Sequence, residues 1–131
     1  MGAVDFAEWA APGLVLKFGG RAYTVQPPSV AAGRQILAAA IRGEVALGWV
    51  PGPVPPEVQE VLDSIGDNHP GLGKDVYEQM AADGVPQASI DRMAYYAVYY
   101  WARGREYATN LARLLWSTEG LSGGEDPAPK G

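Results

Sequence analysis

The strongest structural signal in this 131-residue chain lies at residues 86–116, PQASIDRMAYYAVYYWARGREYATNLARLLW. Pro86 suits a first helical turn and Gly104 suits a helix end, so we predict a core helix over residues 86–103. Its apolar side chains recur at the spacing of one helix face, namely Ile90, Met93, Ala94, Ala97, Val98 and Trp101. Residues 105–117 are predicted to form another helix that folds back on the first.

Upstream of this helical pair, the pattern predicts a β-hairpin and a capped helix. Residues 14–25 alternate apolar and polar side chains around Gly19-Gly20, the composition of a type I′ or II′ turn. Ser29 is placed to cap a helix over residues 29–42, which Gly43 would end. The apolar stripe of this helix is Val30, Gly33, Leu37, Ala40 and Ile41. We expect the hairpin to pack on that stripe.

Between these two regions, short helices are predicted over residues 56–65 and 73–83, the first behind a proline-rich connector at residues 51–56. Residues 120–131 have too little apolar content to offset the entropy of ordering and are predicted to form a flexible tail. The expected fold is mainly α (α+β): one compact domain over residues 1–119, with a short N-terminal hairpin and about five short helices.

Composition limits the functional classes. The chain has no cysteine, which excludes disulfides, thiol nucleophiles and zinc–thiolate sites. Its net charge of −5 and pI near 4.7 argue against nucleic-acid binding. Residues 43–91 carry one lysine against nine acids, which accounts for the whole imbalance. No apolar run approaches the roughly 18 residues that a membrane span needs, so we expect a soluble protein.

The motifs that could carry chemistry are weak. His69, the single histidine, lies in a sequence typical of a turn, and Ser64 is poorly spaced to act with it. Gly71-Leu-Gly-Lys74 lacks both the first glycine and the hydroxyl of a phosphate-binding loop. Glu57, Glu60 and Asp63 sweep round a polar helix face rather than converging as metal ligands do. We therefore expect no enzyme, cofactor or metal.

Aromatic side chains are concentrated near the carboxyl end, where seven of the eleven tyrosines and tryptophans fall within residues 95–116. A helix with aromatic side chains all round is either buried on all sides or part of a partner surface. A chain of this size buries few helices completely, so a partner-binding surface is predicted at Tyr95, Tyr96, Tyr99, Tyr100 and Tyr107. The alternative is that these tyrosines cover the core with their hydroxyls in water.

The order of these elements resembles the tail assembly chaperones of long-tailed (siphovirus-type) phages that infect actinobacteria. The likeness covers residues 12–119. Its sharpest part is LGKDVYEQMAADGV at residues 72–85, followed at helical distance by Trp101 and Gly104-Arg105.

The resemblance implies a non-enzymatic protein of the infected bacterial cytoplasm, which coats the tape measure protein before tail tube subunits polymerise and is absent from the mature virion. In such families a programmed frameshift adds a segment that recruits the tail tube protein. Self-association is compatible with this function and is left open. The alternative function is a permanent virion component, such as a connector or tail-completion subunit.

A frameshift site is predicted near the end of the chain. Ala128-Pro129-Lys130 can be encoded GCC CCA AAG, which contains the slippery heptamer C CCA AAG. We therefore expect the ribosome to change frame at Pro129 and Lys130.

Overall fold

The computed structural model describes residues 3, 13–66 and 69–117. Strands β1 (Leu14–Phe18) and β2 (Arg21–Val25) form an antiparallel pair. In the described residues they are followed by the helices α1 (Val30–Ala46), α2 (Pro56–Asp63), α3 (Lys74–Ala82), α4 (Gln87–Arg103) and α5 (Arg105–Trp116). The predicted mainly α fold with a small β part is confirmed. The tail predicted at residues 120–131 lies outside the described residues.

The hairpin has the turn that its glycines predict. Gly19 and Gly20 have φ angles of 56° and 86°, and positive φ at both central residues is the requirement of a type I′ turn. The register pairs Leu14 with Val25 and Leu16 with Tyr23, so these four side chains share one face of the sheet. All four are buried.

This buried face packs on α3 and α4, and the prediction that it packs on α1 is wrong. The hairpin joins one apolar cluster with Leu72, Val76, Met80, Val85, Ile90, Ala94 and Ala97. Asp83 ties the same elements together at the surface, since it accepts a hydrogen bond from the Tyr23 hydroxyl at 2.8 Å and pairs with Arg21 at 3.1 Å. Which helix covers a hairpin depends on contacts distant in sequence, and local patterns do not encode them.

Helix α1 begins as predicted, because the Ser29 hydroxyl accepts a hydrogen bond from the backbone N–H of Ala32 at 3.2 Å. It then continues through Gly43, its predicted end, to Ala46. The end is a Schellman motif at Gly48, whose φ is 78°. There Gly48 and Trp49 donate their backbone N–H groups to the carbonyls of Val45 and Glu44, at 3.0 and 2.9 Å.

Gly43 lies where α1 approaches α4 closely, and its lack of a side chain allows that approach. A Cβ atom built there would collide with the Tyr99 hydroxyl and would lie 3.1 Å from the hydroxyl of Tyr95. The glycine is therefore a contact point between helices and does not terminate α1.

Helix α1 buries mostly other positions than the ones predicted. Ile36 and Ala40 pack with residues of α4 and α5, while Ala38 packs with Leu62 and Ile65 at the end of α2. Of the predicted stripe only Ala40 is buried; Val30 is 87% exposed and Leu37 is 45% exposed. Because alanines surround this helix, small side chains allow close packing on several sides, and periodicity does not select one of them.

The two middle helices are close to their predicted ranges. Helix α2 ends at Asp63, two residues before its predicted end, and a turn carries the buried side chain of Ile65. Helix α3 ends as the Asp83-Gly84 pair predicts, with Gly84 at φ 81°. Val85 donates its N–H to the Met80 carbonyl at 3.0 Å, and both side chains are buried.

Helix α4 is the common neighbour of α1, α3 and α5. Its amino-terminal half packs with the hairpin and α3, and its carboxyl-terminal half packs with α1 and α5. Gly104, with φ 102°, allows the chain to reverse directly into α5. The predicted core helix and the helix that folds back on it are both present.

Candidate functional site

The five tyrosines predicted to bind a partner are placed very unequally. Tyr99 is 1% exposed and donates its hydroxyl to the Ala40 carbonyl at 2.9 Å. It therefore belongs to the contact between α4 and α1, which corrects its assignment to a partner surface. The other four are half-buried, so each keeps some area in water.

Two of the half-buried tyrosines, Tyr95 and Tyr96, join α4 to α5, and Tyr100 contacts a ring of its own helix. The hydroxyls of Tyr96 and Thr109 lie 3.3 Å apart, which links α4 to α5. The Tyr95 ring stands edge-on to Trp116 at 5.8 Å between ring centroids, and Tyr100 is edge-on to Trp101 at 5.0 Å. The alternative reading, in which tyrosines cover the core, thus describes much of this region, and a partner role for their exposed parts stays a prediction.

A buried carboxylate, that of Glu44, lies next to Tyr107 and Arg103. Glu44 is 4% exposed and contacts two side chains from other helices. Arg103 donates to it through Nε at 3.0 Å and through a terminal nitrogen at 2.8 Å, the paired geometry that guanidinium and carboxylate groups favour. Tyr107 donates its hydroxyl to Glu44 Oε2 at 2.7 Å. We call Glu44, Arg103 and Tyr107 the Glu44 cluster.

The protonation states of the Glu44 cluster follow from these contacts. The hydrogen bonds from Arg103 lower the pKa of Glu44 and outweigh the opposing effect of burial. Burial and the neighbouring carboxylate raise the pKa of Tyr107 to about 12. Burial first, and then the hydrogen bond with Tyr95, raise the pKa of Tyr99. The cluster is therefore an ion pair with a neutral phenol at neutral pH, and it ties α1 to the junction of α4 and α5.

The Glu44 cluster was not predicted from the sequence, because Glu44 was expected to be solvated like the other acids of residues 43–91. The available signal was weak. Once α1 continues past Gly43, Glu44 lies one turn after Ala40 on the same helix face. Its partner Arg103 is 59 residues away in the chain, and only the packing of α1 on α4 brings the two together.

Much of the apolar pattern of α1 faces outward. We call Val30, Gly33, Arg34, Leu37 and Ile41 the α1 stripe, since these positions follow one side of the helix. Val30, Arg34 and Leu37 are exposed, and Gly33 and Ile41 are half-buried. A Cβ atom built at Gly33 would meet nothing within 4 Å. The stripe is thus a partly accessible helix face with two exposed apolar side chains, Val30 and Leu37, and one exposed cation.

A cleft of about 310 Å³ lies between α1, α2 and α4. Its lining is mostly apolar, with Arg42 and Asp91 as its charged members. His69 also lines it, with Nε2 at 3.8 Å from Asp91 Oδ1 and its ring 4.8 Å from that of Tyr77. Ser64, the candidate for a Ser-His arrangement, instead donates its hydroxyl to the Val61 carbonyl at 2.5 Å.

The described ranges hold no group of three or more histidine or acidic side chains that could bind a metal ion. Within the same ranges, no helix is long and apolar enough to cross a bilayer.

A family model described as a domain of unknown function, DUF7426, matches residues 4–130. The chain belongs to this DUF7426 family. The match spans nearly the whole chain, including the hairpin, all five helices described above and the α1 stripe. No curated protein and no solved structure matches the chain.

The residues that carry the resemblance to tail assembly chaperones have clear structural places in this DUF7426 domain. Residues 74–82 form α3, and the Trp101 indole N–H donates to the Gly71 carbonyl at 3.1 Å, which fixes the loop before α3 on α4. Gly104 is the reversal between α4 and α5. The predicted frameshift positions Pro129 and Lys130 fall within the family match but outside the described residues.

Proposed function

We propose that this protein is a phage tail assembly chaperone that binds the tape measure protein and keeps it competent for polymerisation of the tail tube around it. The resemblance over residues 12–119 supplies the identity of the partner. The observation that carries the proposal is the α1 stripe, with Val30 87% exposed and Leu37 45% exposed on one helix face. An exposed apolar helix face is suited to covering apolar helical segments of another protein.

The rigid part of the domain supports such a surface. Helix α1 is held by apolar packing on α4 and α5 and by the Glu44 cluster at its carboxyl-terminal end. A surface held rigidly in advance loses less conformational entropy when it binds. The proposed chaperone acts by covering its partner and performs no bond chemistry, and it leaves before the particle is complete.

In this proposal a programmed frameshift at Pro129 and Lys130 extends some copies with a segment that recruits the tail tube protein. The coding sequence tests this directly. A slippery heptamer over residues 120–131, together with an overlapping shifted frame, is expected. A coding sequence without any such heptamer would remove the frameshift from the proposal and leave the tape measure interaction untouched.

The function itself is tested by co-expressing the full chain with the tape measure protein of the same phage. We expect the two to co-purify, and we expect the tape measure protein to be less soluble without the chain. Mass spectrometry of purified particles is the second measurement, because a chaperone should be nearly absent from them. A stoichiometric amount in the particle would instead identify the alternative, a permanent connector or tail-completion subunit.

A further inference from the structure

Helix α1 has apolar side chains that pack on the domain and others, next to them around the helix, that reach solvent. Ile36 and Ala40 face α4 and α5, and both are at most 2% exposed. The α1 stripe borders this buried face, since Gly33 precedes Ala40 by two turns on one side of the helix, and no described element packs over Val30. From Val30 to Ile41 the stripe spans eleven residue steps, or about 16 Å at 1.5 Å per residue. This is three helical turns, the length over which one helix lies along another.

The charges on α1 favour an acidic occupant. The helix carries two cations, Arg34 and Arg42, and one acid, Glu44. Glu44 is already paired with Arg103, whereas no described acid lies within ion-pair distance of Arg34 or Arg42. The accessible charge of α1 is therefore positive, although the whole chain has a net charge of −5.

Helices α2 and α3 carry the opposite charge. Helix α2 has Glu57, Glu60 and Asp63, and α3 has Asp75 and Glu78 against Lys74, which itself lies 3.9 Å from Glu78. An acidic partner is repelled by α2 and α3 and attracted to α1. Charge therefore directs such a partner away from α2 and α3. Helix α5 also has two exposed arginines against one exposed glutamate, so the apolar stripe is what distinguishes α1 from α5.

The shape of the stripe also suits a helix. Gly33 projects no side chain, and the space in front of it is open, so a second backbone can approach closely there. Val30 and Leu37 flank this gap at i−3 and i+4, the spacing at which the apolar side chains of a partner helix are accommodated.

We propose that the α1 stripe binds an amphipathic helix whose apolar face packs on Val30, Gly33 and Leu37 and whose flanking acidic side chains pair with Arg34. This inference rests on the proposed function and names the chemistry of the tape measure segments that would be bound. It predicts that acidic amphipathic segments are captured and that equally apolar basic ones are rejected.

Two synthetic helices test the proposal against the full chain. Both are about 20 residues long, enough for measurable helicity, with leucines at i, i+3, i+4 and i+7. One carries glutamates on its flanks and the other carries lysines at the same positions. Fluorescence anisotropy is expected to show at least about tenfold tighter binding of the acidic peptide, a difference that added salt reduces. Equal affinities for the two peptides would overturn the proposal.

Matched variants locate the binding surface. Val30→Asp places an acid in the first turn of α1, which the helix dipole tolerates, and Leu37→Asp introduces one at the centre of the stripe. Each is expected to weaken binding of the acidic peptide about tenfold or more. Val15→Asp is the control, because Val15 is 52% exposed on β1, away from α1. Arg34→Glu should reverse the preference towards the lysine peptide. Binding that survives both stripe variants, or that Val15→Asp weakens equally, contradicts the assignment.

A second copy of the chain is the competing occupant. Light scattering of the full chain distinguishes it, since a dimer that Leu37→Asp dissociates would show that the stripe is a self-association surface and would overturn the proposal. Failure of the proposed function has a different signature: the acidic peptide binds through the stripe, but the tape measure protein does not co-purify with the wild-type chain. Capture of the tape measure protein that is unaffected by Leu37→Asp would leave the function standing and reject the stripe.

Discussion

At Glu44, a nearly fully buried carboxylate depends on one guanidinium and one phenol for compensation of its charge. Arg103 keeps a third of its side chain in water, so the pair is screened more than a fully buried one. The largest effect on stability is therefore expected when Arg103 is removed and Glu44 stays buried. A buried carboxylate that loses its cation keeps the cost of desolvation without the compensating hydrogen bonds.

Arg103→Met is therefore expected to lower the free energy of unfolding by about 2–3 kcal/mol, since it leaves Glu44 buried without its cation. Urea denaturation measures the change. Arg105→Met is the control, because Arg105 is an exposed cation at the start of α5, and its loss should change stability by less than about 0.5 kcal/mol. Adding Glu44→Gln to Arg103→Met should recover part of the loss, and an additive double variant would contradict the coupling of the two residues.

At the scale of the element, two glycines within α1 have opposite roles. Gly43 lies against the hydroxyl of Tyr99, whereas the space in front of Gly33 is open. Helix propensity alone treats both positions alike, and favours alanine over glycine by about 1 kcal/mol. The contact with Tyr99 makes glycine the favoured residue at position 43, whereas alanine remains favoured at position 33.

Gly33→Ala is expected to stabilise the domain by about 0.5–1 kcal/mol, and Gly43→Ala to destabilise it, because a methyl group there must displace the Tyr99 ring. Thermal and urea unfolding of the two variants provide the comparison. Combining Gly43→Ala with Tyr99→Phe removes the colliding hydroxyl and should cost less than the sum of the single changes. A stabilising Gly43→Ala would show that α1 and α4 are farther apart than described.

At the scale of the whole molecule, two ionisable groups of the Glu44 cluster, Glu44 and Tyr107, limit the pH range of stability. The pKa of Glu44 is lower in the folded state than its ordinary value of 4.5. Its contribution to the free energy of unfolding is therefore present above pH 4.5 and is lost as pH falls through the folded pKa. For Tyr107 the folded pKa is raised to about 12 from 10.0, so its contribution is complete below pH 10 and is lost as pH rises towards 12.

We therefore expect the free energy of unfolding to change little through these groups between about pH 5 and 9 and to fall on both sides. Urea titrations across pH give the profile. Tyr107→Phe should flatten the alkaline decline, and Glu44→Gln should flatten the acid decline, although each lowers stability at pH 7. An unchanged alkaline decline in Tyr107→Phe would show that this phenol does not control it.

The elements of this domain follow from local chemistry. Gly19-Gly20 supplies the positive φ angles of the hairpin turn, Ser29 caps α1, Asp83-Gly84 ends α3, and the apolar repeat from Ile90 to Trp101 predicts α4. Each of these signals acts within a few residues, where backbone dihedral angles, caps and helix periodicity are set, and each is readable in the amino-acid order.

The arrangement of those elements required contacts between distant residues. The hairpin packs on α3 rather than α1, Tyr99 is buried rather than presented to a partner, and Glu44 is paired with an arginine 59 residues away. An alanine-rich helix such as α1 has more than one face that can be buried at similar cost. The packing of α1 with α4 and α5 decides which face of α1 is buried and leaves the α1 stripe exposed. No local sequence pattern encodes that packing.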